Sequence, residues 1–182
     1  GYTPTRVKLT FDGQGNINMA SEGALVYPEY AKENSYKQAE AFYDEPRLFS
    51  YQIRKSDVTY FEHERVLDKI YAKRESEIKT AIFNLLKHEH QIDFLTMIGV
   101  GLGFHIERLF QLCDVRYFYL YEPDPDCFYC ALHCIDFGPL IERCYSLGGA
   151  FTIKIGGNAN QYVNGLNTMF NQHGFFNVSR FF

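Results

Sequence analysis

The stretch FLTMIGVGLGFHIERLF, residues 94–110, constrains the fold more than any other part of this chain. FLTMI (94–98) is an unbroken apolar run, which suits a strand buried on both faces. FHIERLFQLC (104–113) reads as a helix. Between them GVGLG places Gly99, Gly101 and Gly103 where the chain must turn from strand into helix. A strand, a glycine turn and a helix make a unit that needs a second, parallel strand beside the first. VRYFYLY (115–121) supplies that strand.

The same alternation continues downstream. PDCFYCALHCI (125–135) reads as a helix capped by Asp124, GPLIERCYS as a short helix, AFTIKI (150–155) as a third strand and ANQYVNGLNTMFNQH as a last helix. Upstream, KLTF and NINMA flank DGQG, a hairpin signal within residues 6–27. YPEYAKENSYKQAEAFYDEP reads as a polar helix ended before Pro46. Residues 61–90 predict one long amphipathic helix, with Val66, Leu67, Ile70, Tyr71, Ile78, Ile82, Leu85 and Leu86 at helical period. No internal repeat or low-complexity segment interrupts the pattern. The expected class is α/β: a Rossmann-like three-layer domain with a mostly parallel sheet, preceded by a β-hairpin and a long helix. Residues 1–60 read as the hairpin and helical lead-in, and residues 61–182 as the Rossmann-like domain.

Composition narrows the function. The chain has 182 residues, 46% of them hydrophobic, which is globular rather than disordered. Its net charge of −4 gives no basic surface for nucleic acid or an anionic membrane. No apolar run approaches the ~20 residues that span a bilayer. The start, GYTPTRVKLTFDGQG, has no apolar core of a secretory signal. The five cysteines, at 113, 127, 130, 134 and 144, are odd in number and crowd one region, so they read as free thiols in a reducing cytoplasm. The chain lacks an initiator Met and ends on the apolar VSRFF, which leads us to expect a piece of a longer protein.

The glycine turn is the first candidate site. Glycines after a parallel strand let the backbone approach a phosphate or ribose, and the helix N-terminus that follows favours an anion. Glu122 ends the next strand about twenty residues on, where a carboxylate can accept from ribose hydroxyls. The spacing departs from the dinucleotide fingerprint, because the third glycine comes one residue early. It fits the GxGxG of S-adenosylmethionine-dependent methyltransferases better, yet Met97 stands where those enzymes usually carry an acid. A tight turn packed on the sheet with no ligand is the competing reading. His105, in the first turn of the helix, can donate to a phosphate or simply serve as a surface or capping residue.

YEPDPDCF (121–128) puts Glu122, Asp124 and Asp126 at the same edge of the sheet. Asp124-Pro125-Asp126 matches the DxD with which sugar transferases hold a divalent metal and a nucleotide diphosphate. A capped helix start explains the same residues, with Asp124 as cap, Pro125 at the first position and Asp126 complementing the dipole. Cys127, Cys130 and Cys134 fall on one helical stripe, a poor arrangement for surrounding a metal, and read as packing; no metal ligands are assigned. IGGNANQ (155–161), with Asn158 and Asn160, is a second turn on that edge and reads first as loop.

Taken together, IGVGLGFHIERLF, YLYEPDPDCFYCALHCIDF and the long helix before them resemble the motility accessory factor family of flagellin glycosyltransferases, whose relatives include proteins similar to archaeal hydroxymethylpterin pyrophosphokinase. The resemblance rests on Gly99, Gly101, Gly103, Phe104 and His105, then Glu122, Pro123 and Asp124, then Phe128, Tyr129, Ala131, Leu132, His133, Ile135 and Asp136. It implies a cytoplasmic transferase that moves a nonulosonic acid from a CMP-activated sugar donor to Ser or Thr of flagellin. It implies further that this chain is the N-terminal domain, ahead of the catalytic one. The crevice-lining residues are then Gly99, Gly101, Gly103, His105, Glu122 and Asp124, with a CMP-sugar as ligand and flagellin as acceptor partner.

Overall fold

The computed structural model describes residues 1–27, 30–44, 48–49, 90–173 and 179–181. The long helix expected over 61–90 lies outside the described residues, save for His90.

The expected hairpin is there. Strands β1 (Val7–Phe11) and β2 (Ile17–Ser21) pair antiparallel, Val7 opposite Ser21 and Phe11 opposite Ile17. Asp12 closes the turn, its carboxylate accepting from the Gln14 and Asn16 amides at 2.9 and 2.8 Å. A two-residue strand β3 (Ala24–Leu25) adds to β2. Helix α1 (Ala31–Asp44) follows and buries Ala31, Ser35 and Ala39 at a spacing of four.

The second sheet has five strands: β4 (Leu48–Phe49), β5 (Gln91–Ile98), β6 (Asp114–Glu122), β7 (Ala150–Ile155) and β8 (Ser179–Phe181). Their spatial order is β4-β8-β5-β6-β7. β8, β5, β6 and β7 run parallel, and β4 pairs antiparallel with β8 at the edge. Helices α2 (Phe104–Leu112), α3 (Pro125–Leu132), α4 (Gly138–Ser146) and α5 (Ala159–His173) alternate with the strands. The α/β class with a mostly parallel sheet is therefore as read from the sequence. The helix of 125–135 is shorter than expected and gives way to turns at His133.

Each central strand divides its side chains between two cores. Leu95, Met97, Phe118 and Leu120 pack with α2, α3, α4, α1 and the hairpin strands. Phe94, Tyr117, Tyr119 and Tyr121 turn the other way and meet Tyr162, Leu166, Met169 and Phe170 of α5. That is the period-two alternation of a strand covered on both sides. Tyr119 is one awkward fit: its hydroxyl is buried with no hydrogen-bond partner among the described residues. A Cβ at Gly165 of α5 would collide with that hydroxyl. Tyr119→Phe should thus raise stability by about 1 kcal/mol, because it removes an unsatisfied buried polar atom. Gly165→Ala should cost about 1–3 kcal/mol through overpacking, and less in the Tyr119→Phe background. Urea unfolding of the four proteins checks both expectations.

Strand order fixes where a ligand crevice lies. The chain steps outward from β5 to β6 to β7, then α5 returns it to β8 on the far side of β5. Open parallel sheets bind ligands beyond the carboxyl ends of the strands at such a reversal. Here that point is the carboxyl end of β5, where Ile98 is 57% exposed and the glycine turn begins.

Candidate functional site

Three turns lie side by side at the carboxyl edge. The Gly99 N–H donates to the Tyr121 carbonyl at 2.8 Å, and the Gly156 N–H to the Glu122 carbonyl at 2.8 Å. Glu122 ties two of them with its side chain as well. Its Oε2 accepts from the Val100 N–H at 2.7 Å and its Oε1 from the Asp124 N–H at 2.8 Å. The residue is only 4% exposed, and burial raises its pKa above the ordinary carboxylate value. The acid at the end of the second strand thus holds the glycine turn and the acidic turn in register from beneath.

The three glycines serve three different surroundings. A Cβ at Gly99 would meet open space. At Gly101 it would run into the hydroxyl of Tyr27, the residue that follows the hairpin. At Gly103 it would lie 2.6 Å from Cδ1 of Ile135. Gly103 is also the N-cap of α2, with a φ of 82°. Left-handed backbone costs a residue with a side chain about 1–2 kcal/mol, and the crowding costs more. Gly103→Ala should therefore destabilise the domain by about 2–4 kcal/mol, and a paired Ile135→Val should recover part of the loss in the same unfolding assay. Glycine is dictated at this position by packing as well as by the turn.

His105 sits inside. It is 6% exposed, and its ring Cε1 lies 3.8 Å from the Cβ position of Gly101. Burial pushes its pKa down to about 4, so the ring is neutral at neutral pH. It supplies no cation to the turn, and it is not a surface histidine. Met97, two residues before Gly99, is fully buried in the core shared with α2.

The acidic turn is held by the N-terminal segment. Asp124 caps α3 as expected, accepting from the Asp126 N–H at 3.0 Å, and its other oxygen meets Arg6 at 2.9 Å. Asp126 is buried and receives the Tyr2 hydroxyl and the amides of Arg6 (2.6 Å), Thr5 (2.9 Å) and Val7 (3.3 Å). These donors, Tyr2 foremost, hold its carboxyl well below the usual carboxylate range. An acid whose pKa is lowered by folding contributes stability above its unfolded value of 3.8 that is lost as pH falls below it. The stability gap between the wild type and Asp126→Asn should be widest near pH 7 and narrow below pH ~4, as followed by urea unfolding at each pH.

Among the described residues no cluster of three or more His, Cys, Asp or Glu side chains can hold a metal ion. The five cysteines are free thiols. Burial pushes Cys127 and Cys144 up to about 12 and Cys134 to about 11, values of inert, protonated groups. Asn158 caps α5, its side chain accepting from the Gln161 N–H at 3.1 Å. No described helix is long and apolar enough to cross a membrane.

The structure brings Gly99, Gly101, Gly103, Glu122 and Asp124 to one edge, with His105 beneath it. Sequence reasoning missed Tyr27, Arg6 and Ile135, which touch that edge from distant parts of the chain. Only Ile135 carried a signal, as an apolar residue at the end of a predicted helix and one of those on which the family resemblance rests.

Comparison with known proteins places this arrangement. No curated protein matches the chain. The fold is similar to that of a solved structure, the MAf glycosyltransferase from Magnetospirillum magneticum AMB-1, at a TM-score of 0.60 and 19% sequence identity. The alignment covers 92% of this chain and 26% of that one, so the chain spans about a quarter of the length of the solved protein. The model of the family described as "Glycosyltransferase Maf N-terminal domain" matches residues 1–182. The glycine turn, its buried glutamate and the capped acidic turn thus sit in a chain that belongs to the Maf glycosyltransferase N-terminal domain family.

Proposed function

We propose that this chain is the N-terminal domain of a cytoplasmic transferase that moves a nonulosonic sugar from a CMP-activated donor to flagellin Ser or Thr. In this reading the carboxyl edge around Gly99, Gly101 and Gly103 is an ancillary seat for the nucleotide part of the donor. The residues that perform the transfer lie outside these 182. The family match over the whole chain carries the reading.

The geometry agrees with an ancillary role. A transfer base must reach the acceptor hydroxyl. Glu122 is buried on two amides, Asp126 is buried on the N-terminal segment, and His105 is enclosed and neutral. None of the three is presented to an acceptor. The edge itself has the topology of a binding crevice, with Gly99 open at the point where strand order reverses. Glu122 and Asp124 act there as positioning residues that set the turn.

Calorimetric titration with CMP, CDP, S-adenosylmethionine and NAD tests the seat, and a transfer assay with a CMP-activated nonulosonate and flagellin tests the division of labour. Binding of a cytidine nucleotide without transfer by the chain alone is the expected result. Binding of S-adenosylmethionine instead would replace the proposal with a methyltransferase. Binding of no nucleotide would remove the seat, and transfer by the chain alone would overturn the placement of the chemistry.

A further inference from the structure

We infer that Tyr27 is a displaceable cover of the glycine turn, carried on the N-terminal hairpin and released when the turn takes a nucleotide phosphate. The inference rests on the reading of that turn as a nucleotide seat and adds its regulation.

The contact is specific. The Leu102 N–H donates to the Tyr27 hydroxyl at 3.4 Å, and only a glycine at 101 leaves room for that hydroxyl. The phenol is partly buried, with Ser35 of α1 as its other polar neighbour. Two of the turn amides are given to side chains, and to unlike partners. Val100 gives its N–H to the buried carboxylate of Glu122 at 2.7 Å, a short charge-assisted bond. Leu102 gives its N–H to a neutral hydroxyl through a long bond. A phosphate oxygen is the stronger acceptor, so the Leu102 amide is the one an anion can win.

Release needs only the Tyr27 side chain to turn, because its backbone is held elsewhere. The Asn18 side chain of β2 holds both of its backbone groups: Nδ2 donates to the Tyr27 carbonyl at 2.9 Å, and Oδ1 accepts from the Tyr27 N–H at 3.4 Å. The opposite end of the hairpin is anchored by the Thr5, Arg6 and Val7 amides on Asp126. The backbone that carries the cover is thus fixed, with Val7 and Met19 in the core, and only the hydroxyl at the tip is held by a long bond.

Tyr27→Phe removes the hydroxyl and keeps the ring. Two measurements on the whole chain test the inference: hydrogen exchange of the Leu102 amide, and calorimetric affinity for CDP. In the variant we expect Leu102 exchange to rise and CDP to bind more tightly, each about two- to tenfold, the range of one neutral hydrogen bond. CDP added to the wild type should protect Leu102. Unchanged Leu102 exchange in the variant would show that Tyr27 does not cover the turn. Equal CDP affinity in the two proteins, with Leu102 exchange raised, would leave the seat standing and overturn the cover. Failure of both proteins to bind CDP would overturn the seat and the gating together, whatever Leu102 does.

Discussion

Glu122→Ala is expected to cost about 3 kcal/mol of folding stability, enough to leave the domain marginal. The substitution strips two amides, those of Val100 and Asp124, of their acceptor. Each unsatisfied buried N–H costs about 1–3 kcal/mol, and only part of that is returned by no longer burying a carboxylate. Because the two amides belong to two turns, the damage is not local. The glycine turn and the start of α3 should loosen together, and amide exchange at Val100 and Asp124 should quicken in step. Glu122→Gln keeps one acceptor and turns an NH₂ toward the other amide, so its cost should fall between wild type and alanine. A loss below about 0.5 kcal/mol in Glu122→Ala would mean that water replaces the carboxylate, and would refute the pillar role.

The second large effect is a loss of stability in mild acid caused by His105. Its ring is enclosed in the first turn of α2, and its pKa falls from 6.5 to about 4 on folding. A base whose pKa is lowered in the native state is charged sooner in the unfolded chain. Its contribution is therefore fully present above pH ~6.5 and lost as pH falls toward ~4, in total about 3 kcal/mol. Glu122 works in the opposite sense, since its pKa is raised by folding; its stabilising share is present at low pH and fades as pH rises. The two slopes have opposite signs. His105→Gln should remove the rise in stability between pH 5 and 6.5 and leave the opposite slope that Glu122 contributes. Urea unfolding of both proteins across that range reads the difference, and an unchanged slope in His105→Gln would assign the acid sensitivity elsewhere.

Neither effect belongs to a surface site, and this bears on how the edge is understood. Residues in the pattern of a nucleotide site are here first of all parts of a joint. Gly103 admits Ile135, Gly101 admits Tyr27, Glu122 splices two turns, and Asp124 and Asp126 fasten the N-terminal segment. Of the three glycines of the turn, Gly99 alone has no described neighbour where a Cβ would sit.

Most of the local structure was legible in the chain because it is set by short-range rules. The strand AFTIKI and the helices over 138–146 and 159–173 fall where composition and period put them, and Asp124 caps α3 as its place before Pro125 requires. The alternation of strand and helix dictated a parallel sheet for the same reason, since each strand ends in a helix too long to be a hairpin turn. The combination of glycine turn, EPD turn and the following helix was specific enough to point to the family.

The short strands escaped this reading. β4 has two residues and β8 has three, too few for any period to show, and each is a strand only because its neighbour supplies the hydrogen bonds. With β8 went the reversal of strand order, which exists only once β8 lies beside β5, although the glycine turn was already the candidate edge. The roles of the motif residues were hidden for a related reason. Spacing along the chain says which residue types stand at the edge, and it says nothing of what arrives there from 75 residues away, as Tyr27 does, or from 120, as Arg6 does. The sequence by itself determined the longer described elements, the class and the family. Tertiary packing alone decided that the glutamate is a buried brace, that the histidine is neutral, and that a tyrosine from the hairpin rests on the glycine turn.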